Sequence, residues 1–254
     1  VNDERRLKLR AEWNAQNCQD MHKKAIYGLF LGFDCPEING TIEDWLWAKL
    51  FHCKFAVDPA RALRQLQTTL CTQHGERYFV GEGGSHLIYF SVLLFTGQIE
   101  RAVHVLFRSE YIVHAVHLAI LAHQLRLLMT VPKVSDELLT TDVHEPSVCR
   151  LNLARLLLLF VKDFELSNIE YAINYCFLRA TLKGRSVFVA AVSRIVFMSG
   201  HREAILGRLD SQGNRVPGLI DKIKDAMDIC ELIDSIAFDT HVQGHSLAAC
   251  HLYA

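Results

Sequence analysis

Residues 87–107 read LIYFSVLLFTGQIERAVHVLF, two apolar blocks separated by the short polar run TGQIER. A membrane hairpin, a pair of buried strands or one helix-hinge-helix repeat could each contain such a stretch. The uncharged apolar run extends only from Leu87 to Thr96, well short of the ~18 residues a membrane span needs. Strands would alternate apolar and polar residues, but the apolar residues of this chain recur at three-four spacing, as in Ile220, Ile223, Met227 and Cys230, which is the helical period. The stretch therefore predicts a helical pair. Gly97 ends one helix in a left-handed turn, Glu100 lies in the first turn of the next, and small Ala102 lets that helix lie close against its predecessor.

Similar hinges recur. Gly97-Gln-Ile-Glu100 is followed by Leu106, and Gly200-His-Arg-Glu203 by Leu209. Ile169-Glu-Tyr-Ala-Ile173 echoes Ile99-Glu-Arg-Ala-Val103, and Gly244-His-Ser-Leu-Ala-Ala249 resembles one more hinge. Start signals agree with a helical chain: Thr41-Ile-Glu-Asp44 has the form of a capping box, and Asp58-Pro59 pairs a cap with a first-turn proline. Pro146-Ser147 and Pro217-Gly218 are read as two further starts. The expected helices are 3–32, 42–56, 59–74, 86–96, 99–108, 110–130, 147–162, 168–180, 185–198, 201–209, 218–239 and 246–254. Surface loops are expected at 32–40, 80–85, 132–145 and 211–217. Helical hairpins that bury their apolar faces against neighbours follow the logic of an α-solenoid; a large globular helical domain is the alternative.

The chain has 254 residues, half of them hydrophobic, with a formal net charge of -1. That balance argues against direct nucleic-acid binding, which rests on Lys and Arg neutralising phosphates. Arg5, Arg6, Lys8 and Arg10 are interleaved with Asp3, Glu4 and Glu12, the pattern of a solvated helix face. Cysteines 18, 35, 53, 71, 149, 176, 230 and 250 never form CxxC and read as reduced core thiols. Asn39-Gly40-Thr41 fits a turn and cap as well as a glycosylation sequon, with no targeting segment visible. The chain starts at Val1 rather than Met and stops within HSLAACHLYA, so both ends are expected to be cuts through a longer protein.

Candidate chemistry is sparse. His114, His117 and His123 in VHAVHLAILAH could share a helix face, but no carboxylate follows there to complete a zinc site. His241, His245, Cys250 and His251 form a second, equally incomplete set. Both are read as structural histidines. Gly81-Glu-Gly-Gly-Ser85 lacks the Lys-Ser/Thr of a P-loop and does not complete a dinucleotide fingerprint. No catalytic residue, metal ligand or cofactor is assigned. Trp45, Trp47, Tyr89, Phe90 and Phe95 are expected in the core, or, where exposed, as anchors for a partner peptide.

The ordered segments KKAIYGLFLGFD (23–34), IEDWLWAKL (42–50), LIYFSVLLFTGQIERAVHVLFRSE (87–110), HAVHLAI (114–120), RLNLARLLLLFVKDFE (150–165) and LDSQGNRVPGLIDKI (209–223) resemble the nucleoporin-interacting component family. These are inner-ring linker and scaffold nucleoporins of the nuclear pore complex. The loop GEGGSH and the hinge TGQIERA depart from the family's pattern. The resemblance implies an all-α, elongated, coat-like α-solenoid of stacked antiparallel helices, with residues 1–254 as one continuous domain. It implies a structural role without enzymatic activity, at the nuclear envelope, supporting protein import and mRNA export indirectly. Implied partners are other inner-ring scaffold and linker nucleoporins, and the channel nucleoporin complex through a segment that would precede Val1. No membrane insertion is expected. No motif assigns those contacts to particular residues. A cytoplasmic coat or trafficking adaptor, and more remotely an all-helical metalloenzyme using His114 and His117, are the rival readings.

Overall fold

Local capping chemistry sets most of the element boundaries in the structure, a computed structural model that describes residues 3–14, 20–33, 40–81, 84–131, 133, 135–223 and 229–253. The chain divides into two compact units, one formed by 1–129 with 139–151 and the other by 130–138 with 152–254.

The first unit contains α1 (Asp3–Asn14), α2 (Met21–Leu31), α3 (Ile42–Lys54), α4 (Pro59–Thr69), a π-helical turn (Leu70–His74), α5 (Gly75–Val80), α6 (His86–Phe95), α7 (Ile99–Arg108) and α8 (Ile112–Gln124). Strands β1 (Leu139–Thr141) and β2 (Cys149–Leu151) pair antiparallel, Leu139 opposite Leu151, and pack on α7. Chain neighbours pack on one another, α6 on α7 and α7 on α8. Leu46, Leu70, Phe79, Tyr89, Val92, Leu93, Ala102 and Val105 form the core, with Phe79 stacked on Tyr89 at 5.6 Å.

The second unit contains α9 (Leu153–Lys162), α10 (Ile169–Lys183), α11 (Arg185–Ser199), α12 (Arg202–Leu206), a short hairpin of β3 (Arg208–Leu209) and β4 (Arg215–Val216), a 3₁₀ turn (Leu219–Lys222), α13 (Ile229–Val242) and α14 (Ser246–Tyr253). Here α9 packs on α10, α10 on α11, α11 on α13 and α13 on α14. Ile173, Phe188, Val192, Ile195, Ile205 and Ile236 are at most 1% exposed at its centre.

The hinge at 96–99 has the expected form. Gly97 sits at φ +79°; its N–H donates to Leu94 O and that of Gln98 to Leu93 O, the Schellman pattern that satisfies the last carbonyls of α6. Glu100 lies in the first turn of α7 and Ala102 is fully buried. Gly244 repeats the pattern, with Gly244 N donating to His241 O and His245 N to Thr240 O. Thr41 caps α3 by accepting Asp44 N–H at 3.1 Å, and Asp58 caps α4 by accepting Arg61 N–H at 3.0 Å.

Several expected boundaries are corrected. The single helix 3–32 is two helices: α1 ends at Asn14, and Asp20, extended at φ -88° and ψ 105°, caps α2 by accepting the N–H groups of His22 and Lys23. The helix expected over 110–130 stops at Gln124, because Arg126 takes the left-handed C′ position (φ +58°) and Leu127 N–H returns to Ala122 O. The helix expected from 147 starts at Leu153; Cys149–Leu151 is strand, and the cap is Asn152, which accepts Arg155 N–H. Leu209, expected at the end of a helix, lies in β3, since α12 ends before Gly207 (φ +89°). The expected loop 211–217 contains strand β4, and residues 210–214 close the β3–β4 hairpin, where Asp210 accepts the N–H groups of Gln212 and Asn214 at 2.8 Å. Ile220 belongs to a 3₁₀ turn rather than to a long helix 218–239, and Met227 lies outside the described residues.

Candidate partner-binding surfaces

Among the described residues, the histidine sets do not assemble a metal site. His114 and His117 are exposed on α8, and His117 Nδ1 lies 2.8 Å from Val113 O, a local backbone bond. His241 and His245 are exposed, and His245 stacks on Phe197 at 4.1 Å; the side chain of His251 lies outside what is described. Among the described residues no group of three His, Cys, Asp or Glu side chains is close enough to hold a metal ion. Of the Gly-rich loop, Gly81, Gly84 and Ser85 are described: Ser85 caps α6 by accepting Leu87 N–H at 3.2 Å. None of the helices is long and apolar enough to cross a membrane among the described residues.

Among the described residues, the buried thiols are held in the packing. Arg101 Nη2 donates to Cys149 Sγ at 3.2 Å, and Cys71 Sγ donates to Gln98 Oε1 at 2.7 Å. Burial pushes the Cys71 thiol up, and it pushes Cys176 up to about 11, so both stay protonated at neutral pH. Cys149 and Cys176 are core thiols as expected, whereas Cys230 and Cys250 are exposed. Burial also raises Glu100 and, aided by Arg108 and Arg101, lowers His104. Cys71 and Tyr89 neighbour each other beside Arg101 and Cys149, and Cys176 lies near Arg179, Arg194 and Glu165, each within the packing of its own unit.

Two surfaces have the composition of docking sites. On α3 and its C-cap, Trp47, Phe51 and Phe55 follow one another at four-residue spacing, with ring separations of 5.5 Å and 4.6 Å, and Phe30 of α2 abuts Phe51 at 6.0 Å. Trp47 and Phe55 are 58% and 66% exposed, so this stripe is not core; Trp45, by contrast, is half-buried against Phe79. Phe95 is also exposed, whereas Tyr89 is buried and Phe90 half-buried, as expected for core rings.

The second surface is a groove of about 1050 Å³ between α11 and α13, lined by Arg185, Ser186, Val189 and Ala190 on one side and Glu231, Asp234, Ser235, Phe238 and Asp239 on the other. Phe238 is 62% exposed in it. Arg185 pairs with Glu231 at 2.6 Å across the groove. The sequence reading missed this site because DSIAFDTH carries an ordinary helical period. Its signal was Phe238 standing between Asp234 and Asp239, on the polar rather than the apolar face.

Comparison with known proteins follows the same lines. The Nup93/Nic96 family profile matches residues 1–254. The chain is 34% identical to the nuclear pore complex protein Nup93 of Danio rerio, over 98% of this chain and 32% of that protein. It is 34% identical to the Xenopus laevis protein of the same name, over 92% of this chain and 30% of that one. It thus spans about a third of the length of these relatives. A crystal structure of Nic96 SOL from Chaetomium thermophilum superposes with a TM-score of 0.72 at 21% identity, covering 100% of this chain and 40% of that one, which identifies the fold as an α-solenoid.

Proposed function

The chain belongs to the Nup93/Nic96 family, and from that premise we propose that it is structural scaffold of the nuclear pore complex, located at the nuclear envelope. The family is one of structural nucleoporins rather than enzymes. The observation that carries this reading is the collinear match of the family over all of residues 1–254. The packing supports it: helices stack on their chain neighbours and leave apolar side chains such as Trp47, Phe55 and Phe238 exposed between polar ones, the anatomy of a surface that binds short segments of other chains.

Its partners are other nucleoporins. In the finer reading these are inner-ring scaffold and linker nucleoporins, with the channel nucleoporin complex recruited through a segment preceding Val1, so that import and mRNA export depend on the chain indirectly. We read residues 1–254 as one continuous solenoid domain. A single unfolding transition shared by circular dichroism and tryptophan fluorescence is expected for it, and two separated transitions would contradict it. The functional reading is tested by expressing the protein with a fluorescent tag in cells. A rim at the nuclear envelope and co-purification with nucleoporins are expected; cytoplasmic puncta with coat components would sink it.

A further inference from the structure

We propose that the groove between α11 and α13 docks a short basic segment of a partner protein that carries an apolar anchor. Two features combine there. The floor is apolar, formed by half-buried Val189, exposed Ala190 and the ring of Phe238, and an exposed aromatic ring beside a cleft is the kind of group that anchors a peptide. The α13 wall is acidic. Of its three carboxylates, Glu231 is matched by Arg185 at 2.6 Å, whereas Asp234 and Asp239 have no ion pair among the described residues. Among the described residues the groove therefore presents two negative charges without an ion pair, one on each side of Phe238 along the helix.

That arrangement selects the occupant. Glu231, Asp234, Ser235, Phe238 and Asp239 lie on one face of α13, and the span from Glu231 to Asp239 is about 12 Å at the helical rise. Two to three turns of a helix, or a few extended residues, match that length. Lys or Arg on both sides of a Leu- or Phe-like anchor would place a cation near Asp234 and another near Asp239 while the anchor covers Phe238. Ser235 does not compete for the ligand, because its hydroxyl donates to Glu231 O at 2.6 Å. An acidic segment would meet repulsion at both ends, so charge sets the specificity and the apolar floor supplies the hold.

This inference rests on the reading of the chain as a binding scaffold, and the two fail separately, since localisation at the nuclear rim does not depend on a peptide in solution. The test uses residues 1–254 and a fluorescein-labelled 14-residue helical peptide with leucines along one face and lysines on the others, read by fluorescence anisotropy. Asp234→Asn with Asp239→Asn should weaken binding about three- to thirtyfold, the size of two exposed charge pairs, and should flatten its salt dependence. Phe238→Ala should weaken it independently. The same peptide with glutamate for lysine should not bind, and Asp163→Asn, an exposed carboxylate outside the groove, should change nothing. Asp234 and Phe238 are exposed and Asp239 is half-buried, and unchanged circular dichroism verifies folding. Binding unaltered by both groove variants, or absent for the lysine peptide, would overturn the proposal. So would sedimentation showing a dimer that the groove variants dissolve, which would make this face a contact between copies.

Discussion

Glu100 and Met129 are tied by a part-buried hydrogen bond: the carboxylate Oε1 in the first turn of α7 accepts the Met129 N–H at 2.6 Å, and Glu100 is only 5% exposed. The hinge glutamate therefore does more than complement a helix dipole. It satisfies a backbone donor in the connection beyond α8.

Burial raises the Glu100 carboxyl above its usual 4.5, against the opposing pull of the Met129 N–H bond. A raised carboxyl binds its proton more tightly in the folded state, so its contribution is full below about pH 4.5 and is lost as pH rises through the folded value. Glu100→Gln keeps an acceptor for Met129 and removes the charge. The fall in stability above pH 4.5 assigned to this group should disappear in urea titrations run as a pH series. Glu100→Ala should instead cost about 0.5–1.5 kcal/mol at every pH, because the part-buried Met129 N–H loses its acceptor. Equal pH profiles for wild type and Glu100→Gln would refute the assignment.

The left-handed positions rank themselves. A Cβ on Gly97 (φ +79°) would meet nothing closer than Gln67 Nε2 at 4.0 Å, so Gly97→Ala should cost only the backbone strain, about 1–2 kcal/mol. A Cβ on Gly207 (φ +89°) would lie 2.5 Å from Val216 O and 3.2 Å from Gly218 N, so Gly207→Ala should cost clearly more and disturb the β3–β4 hairpin. Arg126 (φ +58°) has the reverse problem, and Arg126→Gly should be neutral to stabilising by up to about 1 kcal/mol, strain relief being offset by the looser unfolded chain. Denaturation midpoints check the order.

These positions also show what the sequence made legible. Where glycine occupied the left-handed turn, as at Gly97, Gly200 and Gly244, the hinge was readable, and so were the caps at Thr41 and Asp58. Where another residue did the same work, it was not: Arg126 gives no compositional sign that it ends a helix, and Asn152 caps α9 behind a proline that looks like an earlier start. The short strands β1–β4 were invisible, since two or three residues carry too little alternation to register. The family was legible through order over the whole chain. The docking groove was not, because it depends on which helix α13 packs against, a fact that no local pattern contains.

A second charge relationship has a different energetic character. Arg194 donates through both terminal nitrogens to Glu165, at 2.6 Å and 2.5 Å, and Glu165 is 7% exposed. Removing the cation alone leaves a carboxylate desolvated, so Arg194→Ala should cost about 3 kcal/mol, the lower end for a broken buried pair because the guanidinium remains partly solvated. Arg194→Lys should recover little of it, since a point charge cannot reproduce the two-point bond. Glu165→Gln in the Arg194→Ala background should restore part of the loss. A double-mutant cycle by urea denaturation measures the coupling, and additive effects would mean that the two groups do not act as a pair.

The hinge repeat makes the sharpest packing test. Ala102 follows Glu100 by two residues and Ala172 follows Glu170 by two, and both alanines are fully buried. Ala102 lies in the core of the first unit and Ala172 in that of the second, so a larger side chain at either would have to displace packed neighbours. Ala102→Leu and Ala172→Leu should each destabilise by about 1–3 kcal/mol through overpacking, while Ala60→Leu, exposed on α4, should be nearly neutral. If the two buried variants matched Ala60→Leu in thermal denaturation, small residues would not be what sets the helix spacing at these hinges. If they fall as expected, the recurring Ile-Glu-x-Ala signature is a packing rule: glutamate placed at the helix start, and alanine two residues later to let the next helix close.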